Sequence, residues 1–228
     1  LVHQMLDTVG LTPADDYASR YPHQLSGGEA QRTVIVRSML LEPDLILADE
    51  AVSALDVSLR VNLMDLLLEL QEMFSTSFVF ISHNMANARY LAGRADGRIA
   101  VMYLGRIVEI GPADEIIKNP QHPYTKSLLW ATSGLSEIND PIESPPVRKI
   151  DIPDPENPPS GCRFHTRCPE AREYCTQNDP RREGMSGTGD RHETACFYAH
   201  DRAEYRNSEP LTDDPGSEAL DSAEGSAD

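Results

Sequence analysis

Residues 21–56 read YPHQLSGGEAQRTVIVRSMLLEPDLILADEAVSALD, and two pieces of chemistry stand in them one helix apart. The first is Leu25-Ser26-Gly27-Gly28-Glu29-Ala30-Gln31-Arg32. Ser26 is placed to cap a helix, and Val34, Ile35, Met39 and Leu41 follow at roughly helical spacing. The start of such a helix offers unpaired backbone N–H groups and the positive end of the helix dipole. With no Cβ on Gly27 or Gly28 to obstruct approach, it suits a phosphate. Pro43 stops the helix, and Leu45-Ile46-Leu47-Ala48 reads as a short buried strand closing on Asp49-Glu50. Adjacent carboxylates at the C-terminal end of a buried strand are costly unless they bind a metal or handle protons. Either piece alone is ordinary, a turn at a helix start or a solvated acidic loop; the conjunction carries the reading.

LSGGEAQR, a helix, an apolar strand, Asp-Glu and then Ser53-Ala54-Leu55-Asp56 resemble the second half of an ATP-binding-cassette ATPase. The resemblance implies an α/β fold, part of a P-loop NTPase domain. It also assigns roles. Ser26, Gly27 and Gly28 match the signature loop that meets the γ-phosphate of ATP held by an opposite subunit, with Gln31 in the same motif. Asp49 matches the aspartate that orders Mg²⁺ through water, and Glu50 the glutamate that polarises the attacking water. Residues 53–56, ending in Asp56, match the loop that crosses the dimer interface. Ser82-His83-Asn84 follows the apolar run 78–81, and His83 matches the switch histidine at the γ-phosphate. Ala51-Val52 stands where the family usually has Pro-Thr, so the turn lacks proline's fixed φ. No G-x-x-x-x-G-K-[ST] occurs in the chain. The loop that cradles phosphates in the family is therefore not in this sequence. The upstream glutamine loop and adenine-stacking aromatic are likewise missing, and the start at Leu-Val-His-Gln, without Met, reads as a truncated or abnormally started sequence.

The 228 residues suffice for one sizeable core plus an appendage. A net charge of −17 argues against nucleic acid as a partner, since no basic stripe is present to neutralise phosphates. It suits a surface kept hydrated by carboxylates in a salt-rich cytoplasm. No apolar run reaches the roughly 18–20 residues that span a bilayer, and no signal peptide is legible.

Along the chain, Val2, Met5, Leu6 and Val9 give one helical face, capped at Gly10. Leu59, Leu63, Leu66, Leu67, Leu70 and Met73 form a second stripe, read as a core helix. A strand over 77–82 follows, then a helix over 85–98 that turns irregular at Ala92. Strands over 99–103 and 106–110 flank Leu104-Gly105 as a hairpin, broken by Gly111-Pro112. A short helix covers 113–118. The segment Asn119-Pro120-Gln121-His122-Pro123-Tyr124-Thr125 resembles the one that follows the cassette in oligopeptide and dipeptide transport ATPases. Seven prolines between 139 and 160 predict a semi-rigid linker, and the acidic end from 207 to 228 predicts disorder.

All four cysteines, Cys162, Cys168, Cys175 and Cys196, follow that linker. Thiols so concentrated in a cytosolic setting point to metal. The spacing lacks the C-x₂-C knuckles of structural zinc, four thiolates also suit an iron–sulfur cluster, and free thiols remain open. Residues 161–169 resemble the cysteine motif of the same transporter branch, which implies a [4Fe–4S] cluster, with Zn²⁺ the alternative. His165, His192 and His200 are candidate substitutes for a thiol ligand, with the incidental reading favoured.

The expectation is thus four segments: 1–118, the C-terminal part of a cassette ATPase; 119–160, a helix and Pro-rich linker; 161–200, the cysteine region; and 201–228, an acidic tail. The implied function is an ATP-hydrolysing subunit, using ATP and Mg²⁺, that energises import of oligopeptides or dipeptides. Its implied partners are a second ATPase subunit, transmembrane permease subunits and, indirectly, an extracellular solute-binding protein, at the cytoplasmic face of the membrane. The alternatives are a remnant with the fold but no turnover, and a non-transport cassette ATPase of DNA repair or chromosome organisation.

Overall fold

The computed structural model describes residues 1–53, 55–132, 147–187 and 189–211, with backbone only at Gly189 and Asp190. Ala54 of the stretch expected to cross a dimer interface, the first part of the expected linker (139–146) and the expected tail from 212 onward lie outside the described residues. The chain divides into two compact units, Leu1–Gly97 and Arg98–Asp228.

The first unit runs α1 (Val2–Thr8), α2 (Ala14–Ala18), a 3₁₀ turn (Pro22–Gln24), α3 (Gly27–Met39), β1 (Leu45–Asp49), α4 (Val57–Phe74), β2 (Ser77–Ile81) and α5 (Met85–Arg94). Its core gathers Leu6, Val9 and Leu11 with Val36 and Met39 of α3, Val52, and Leu63, Met64, Leu66 and Leu70 of α4. Leu70 is fully buried, whereas Leu59 and Met73 at the ends of the stripe are exposed. Val34 on α3 and Leu41 just beyond its end also face outward, so the helix's buried face is carried by Val36 and Met39. α4 starts on Asp56, whose Oδ1 accepts the Leu59 N–H at 3.0 Å, and stops at Ser75 in the left-handed region.

β1 and β2 pair in parallel, from Leu45 opposite Ser77 to Asp49 opposite Ile81, with α4 as the crossover between them. The strand over 45–49 is not buried as its composition predicts. Leu45 and Leu47 are 57% and 66% exposed, and Val79 and Ile81 opposite them 46% and 43%. One face of the pair packs inward through Ile46 and Phe80, and the other stands open.

The second unit contains β3 (Arg98–Tyr103), β4 (Arg106–Pro112), α6 (Ala113–Lys118), α7 (Pro123–Thr132), α8 (Glu173–Gln177), β5 (Glu183–Met185), β6 (Gly189–Thr194) and α9 (Ala203–Arg206). Its antiparallel sheet has the order β3-β4-β6-β5. Leu104 and Gly105, with φ of 44° and 76°, make the two-residue turn of the β3–β4 hairpin. Gly111 and Pro112 do not break that hairpin; they pair with Ile99 and Arg98 at its end. Gly111 is there for room. A Cβ on it would lie 3.1 Å from the His192 ring. Phe164 is the centre of an aromatic group, 5.1 Å from Tyr103 and 5.4 Å from Tyr124 between ring centroids. No helix among the described residues is long and apolar enough to cross a membrane.

Candidate functional site

α3 opens with a complete capping box: the Ser26 hydroxyl accepts the Glu29 N–H at 3.4 Å, and Glu29 Oε2 accepts the Ser26 N–H at 2.7 Å. Tyr17 Oη donates to the other carboxylate oxygen at 2.7 Å. That bond and those from Ser26 hold the Glu29 carboxyl down at about 2. The helix start is thus fixed while its surface stays bare: a Cβ on Gly27 or Gly28 would meet nothing within 4 Å. Nothing inside the described chain requires glycine at either position. What the two glycines leave open is the approach of an outside group to the N–H end of α3.

β1 delivers Asp49, exposed, and then Glu50, whose φ of 49° turns the chain sharply at the strand end. Glutamate rarely adopts that region, and here three contacts impose it. The Glu50 N–H donates to Ile81 O at 3.0 Å, while the Ser53 N–H (3.1 Å) and hydroxyl (2.8 Å) both donate to Glu50 O. The Glu50 carboxylate then accepts the His83 backbone N–H at 2.9 Å and meets His83 Nδ1 at 2.9 Å. The His83 side chain is the largest influence holding the Glu50 carboxyl below the usual carboxylate range. The structure therefore brings Glu50 and His83 together across 33 positions of sequence. Gln31 does not point out of the helix start; its Nε2 donates to Ala51 O at 2.9 Å, tying α3 to the turn after Glu50. Asp56 serves as the N-cap of α4.

In the second unit, Cys162, Cys168, Cys175 and Cys196 are all unpaired and line one small cavity with His122, His165 and Phe164. Gly161 makes this possible. It lies at φ +63°, and a Cβ there would stand 2.4 Å from Cys175 O, so only glycine lets this segment run against α8. The Cys162 N–H donates to that same Cys175 O at 2.9 Å. Burial pushes the Cys162 thiol up to about 12 and Cys196 to about 11, and raises Cys168 and Cys175. Among the described residues, no three of His, Cys, Asp and Glu group closely enough to hold one metal ion.

Sequence reasoning missed the buried pair of Glu109 and His192. Glu109 Oε1 lies 2.7 Å from His192 Nε2, and both side chains are fully buried. The same carboxylate accepts the backbone N–H of Gln121 at 2.7 Å and of His122 at 3.1 Å, pinning the loop before α7. An acid inside the apolar run Ile107-Val108-Glu109-Ile110 was the available signal. His200 bonds Thr194 O at 3.0 Å and His165 bonds Cys162 O at 2.8 Å through their ring nitrogens.

A βαβ pair ending in an acid pair, with a bare capped helix start tied to the turn behind it, fits the α/β fold of the P-loop NTPase class. Two family models match: ABC transporter, over residues 2–53, and oligopeptide/dipeptide transporter, C-terminal region, over residues 108–175. The chain belongs to the ATP-binding-cassette family, in its oligopeptide/dipeptide transporter branch. It is 44% identical to the di/tripeptide transport ATP-binding protein DppF of Pseudomonas aeruginosa, over 87% of this chain and 58% of that one. It is 43% identical to the oligopeptide transport ATP-binding proteins OppF of Salmonella typhimurium (86% and 56%) and AppF of Bacillus subtilis (78% and 53%). The chain thus spans a little over half the length of these relatives. A solved ATP-binding cassette in its ADP conformation superposes with a TM-score of 0.46 at 21% identity, over 54% of this chain and 47% of that one.

Proposed function

We propose that this chain supplies the hydrolytic half of an ATPase subunit that energises peptide import. The observation that carries this reading is the Glu50 carboxylate at the end of β1, held by both the N–H and the ring of His83. A carboxylate kept ionised and oriented at the mouth of a parallel strand pair is equipped to align a water against the terminal phosphate of ATP. Ser26, Gly27 and Gly28, backed by the capping box, would receive a phosphate presented from a second subunit. Asp49 would hold Mg²⁺ through water; when bound, the ion neutralises charge on the phosphates. His83 would contact the γ-phosphate, Gln31 would keep the two halves of the site in register, and Asp56 would stand at the subunit interface. The partners are a second ATPase subunit and membrane permease subunits at the cytoplasmic face, with a solute-binding protein acting through them. We keep the domain division of residues 1–118, 119–160, 161–200 and 201–228 as part of this proposal.

The same proposal places a [4Fe–4S] cluster on Cys162, Cys168, Cys175 and Cys196. Supporting it is the donor set: four soft thiols on one cavity in a region of few large apolar side chains. When bound, such a cluster supplies a one-electron site and a crosslink for a small fold. The alternative is Zn²⁺ on the same thiols, through Zn–S bonds of ~2.3 Å.

Two measurements test these readings. In a complete cassette carrying this half, Glu50→Gln should lower the hydrolysis rate on the order of 100-fold or more while preserving ATP-driven closure. Near-normal turnover would move the role away from Glu50. For the cysteines, anaerobic purification with iron, sulfide and zinc analysis should return iron and sulfide; stoichiometric zinc, or no metal, would refute the cluster.

A further inference from the structure

Adjoining the cysteine cavity, with His122, Cys162 and Phe164 lining both, lies a cleft of about 460 Å³ whose wall is unusual for this molecule. The chain carries 37 acidic residues against 20 Lys and Arg, yet Arg106, Arg163, Arg181 and Arg182 line this one cleft with a single acid, Asp179. That leaves the lining at +3, four guanidinium groups less one carboxylate. In a chain of net −17, chance placement would give the opposite sign.

The arginines are positioned but not used up. Arg106 Nη1 meets Asp179 Oδ2 at 2.8 Å, Arg182 Nε meets Glu193 Oε2 at 2.7 Å, and Arg163 Nη1 donates to Leu104 O. Each of these contacts engages one nitrogen of a group that carries five N–H donors. Arg181 lines the cleft, and its side chain makes no hydrogen bond or ion pair among the described residues. The floor between them is apolar, formed by Ile107, Val108, Phe164 and Ala195. The volume falls in the range of small-molecule sites, roughly 300–1,000 Å³. Forked guanidinium groups around an apolar floor match an organic body bearing oxyanions, which each fork can hold through two parallel hydrogen bonds.

We propose that this cleft binds a small organic anion carrying two or more phosphate or carboxylate groups. The cleft belongs to the second unit, and nothing in the nucleotide chemistry uses it. The same oxyanion chemistry can come from a free ligand or from this chain's own residues 212–228, which hold six acids and no base. Calorimetric titration of the full chain with citrate and with pyrophosphate, at low salt and then at 0.5 M salt, tests the idea. We expect saturable 1:1 binding of at least one anion, weakened by salt. Arg106→Ala with Arg181→Ala should weaken it at least about tenfold, the loss of two charge-assisted contacts. Both side chains are exposed and the Arg106 pair is a surface one, so the double variant should fold; its circular dichroism and urea midpoint verify this. A chain ending at 211 that binds more tightly than the full chain would make the tail a competitor for the cleft, and equal affinity would make the ligand external. Absence of binding to both full and shortened chains would overturn the proposal. So would binding unchanged by the double variant, which would put the anion elsewhere, as at the start of α3.

Discussion

The contact between Glu50 and His83 has a chemical consequence that can be measured directly. With His83 as the leading cause, the Glu50 carboxyl sits below its ordinary range. Removing the ring should let it rise. In His83→Ala, the Glu50 titration followed by carbonyl-carbon NMR should move upward toward the usual value of about 4.3. An unchanged titration would mean that solvent, not His83, sets the charge. In an active cassette the same substitution should reduce hydrolysis, because the carboxylate loses its lateral support. Glu29 presents a contrast. Its carboxyl is held lower still, yet its partners are Tyr17 and Ser26, and its work is to hold the helix start. A depressed carboxylate thus marks a cap in one place and a candidate water-orienting group in the other; geometry separates them.

Among the elements, the loop between α6 and α7 shows how one buried histidine couples a fold to pH. His122 is buried, its Nδ1 accepts the Tyr124 N–H at 3.0 Å, and burial drives its pKa down to about 3, with Lys126 adding to the effect. The ring is therefore neutral when folded, and protonation favours the unfolded chain. The contribution is fully present above the unfolded value of about 6.5 and is lost as pH falls from there toward 3. Urea midpoints measured from pH 7 to pH 4 should fall, and His122→Gln, which keeps an acceptor for Tyr124, should flatten that slope. Equal slopes in both proteins would assign the pH dependence to other groups. Because β4 holds this loop through Glu109, the hairpin, the loop and β6 should lose structure together.

For the molecule as described, the open face of the β1–β2 pair matters most. Parallel sheets are normally covered on both faces, and a two-stranded one is marginal in water. Leu45, Leu47, Val79 and Ile81 lie side by side and exposed, next to the acid pair Asp49-Glu50. A site whose strands are covered on one face only should hold its nucleotide weakly, and this sequence also carries no phosphate-cradling loop. We therefore expect the chain alone to show no tight ATP binding and no Mg²⁺-dependent turnover. Titration with labelled ATP checks this; micromolar affinity with hydrolysis would show that α3 and Glu50 suffice by themselves.

Local chemistry made much of this legible. Ser26 followed by Glu29 dictates a helix start, Leu104-Gly105 a tight hairpin, and the stripe from Leu63 to Leu70 a packed helix, because each depends on neighbours within a few positions. The order of LSGGEAQR, Asp-Glu and His83 named the family from motifs alone. Burial was another matter. Leu45 and Leu47 read as core by composition and proved exposed, since exposure depends on which segments lie across the sheet and no periodicity reports that. Gly111 read as a breaker and proved to be a space for His192, a residue 81 positions later in the chain. The Glu109–His192 pair, the tether from Gln31 to Ala51 and the cleft of arginines share that cause. Each joins residues through the packing of distant segments, and only the folded chain sets those distances.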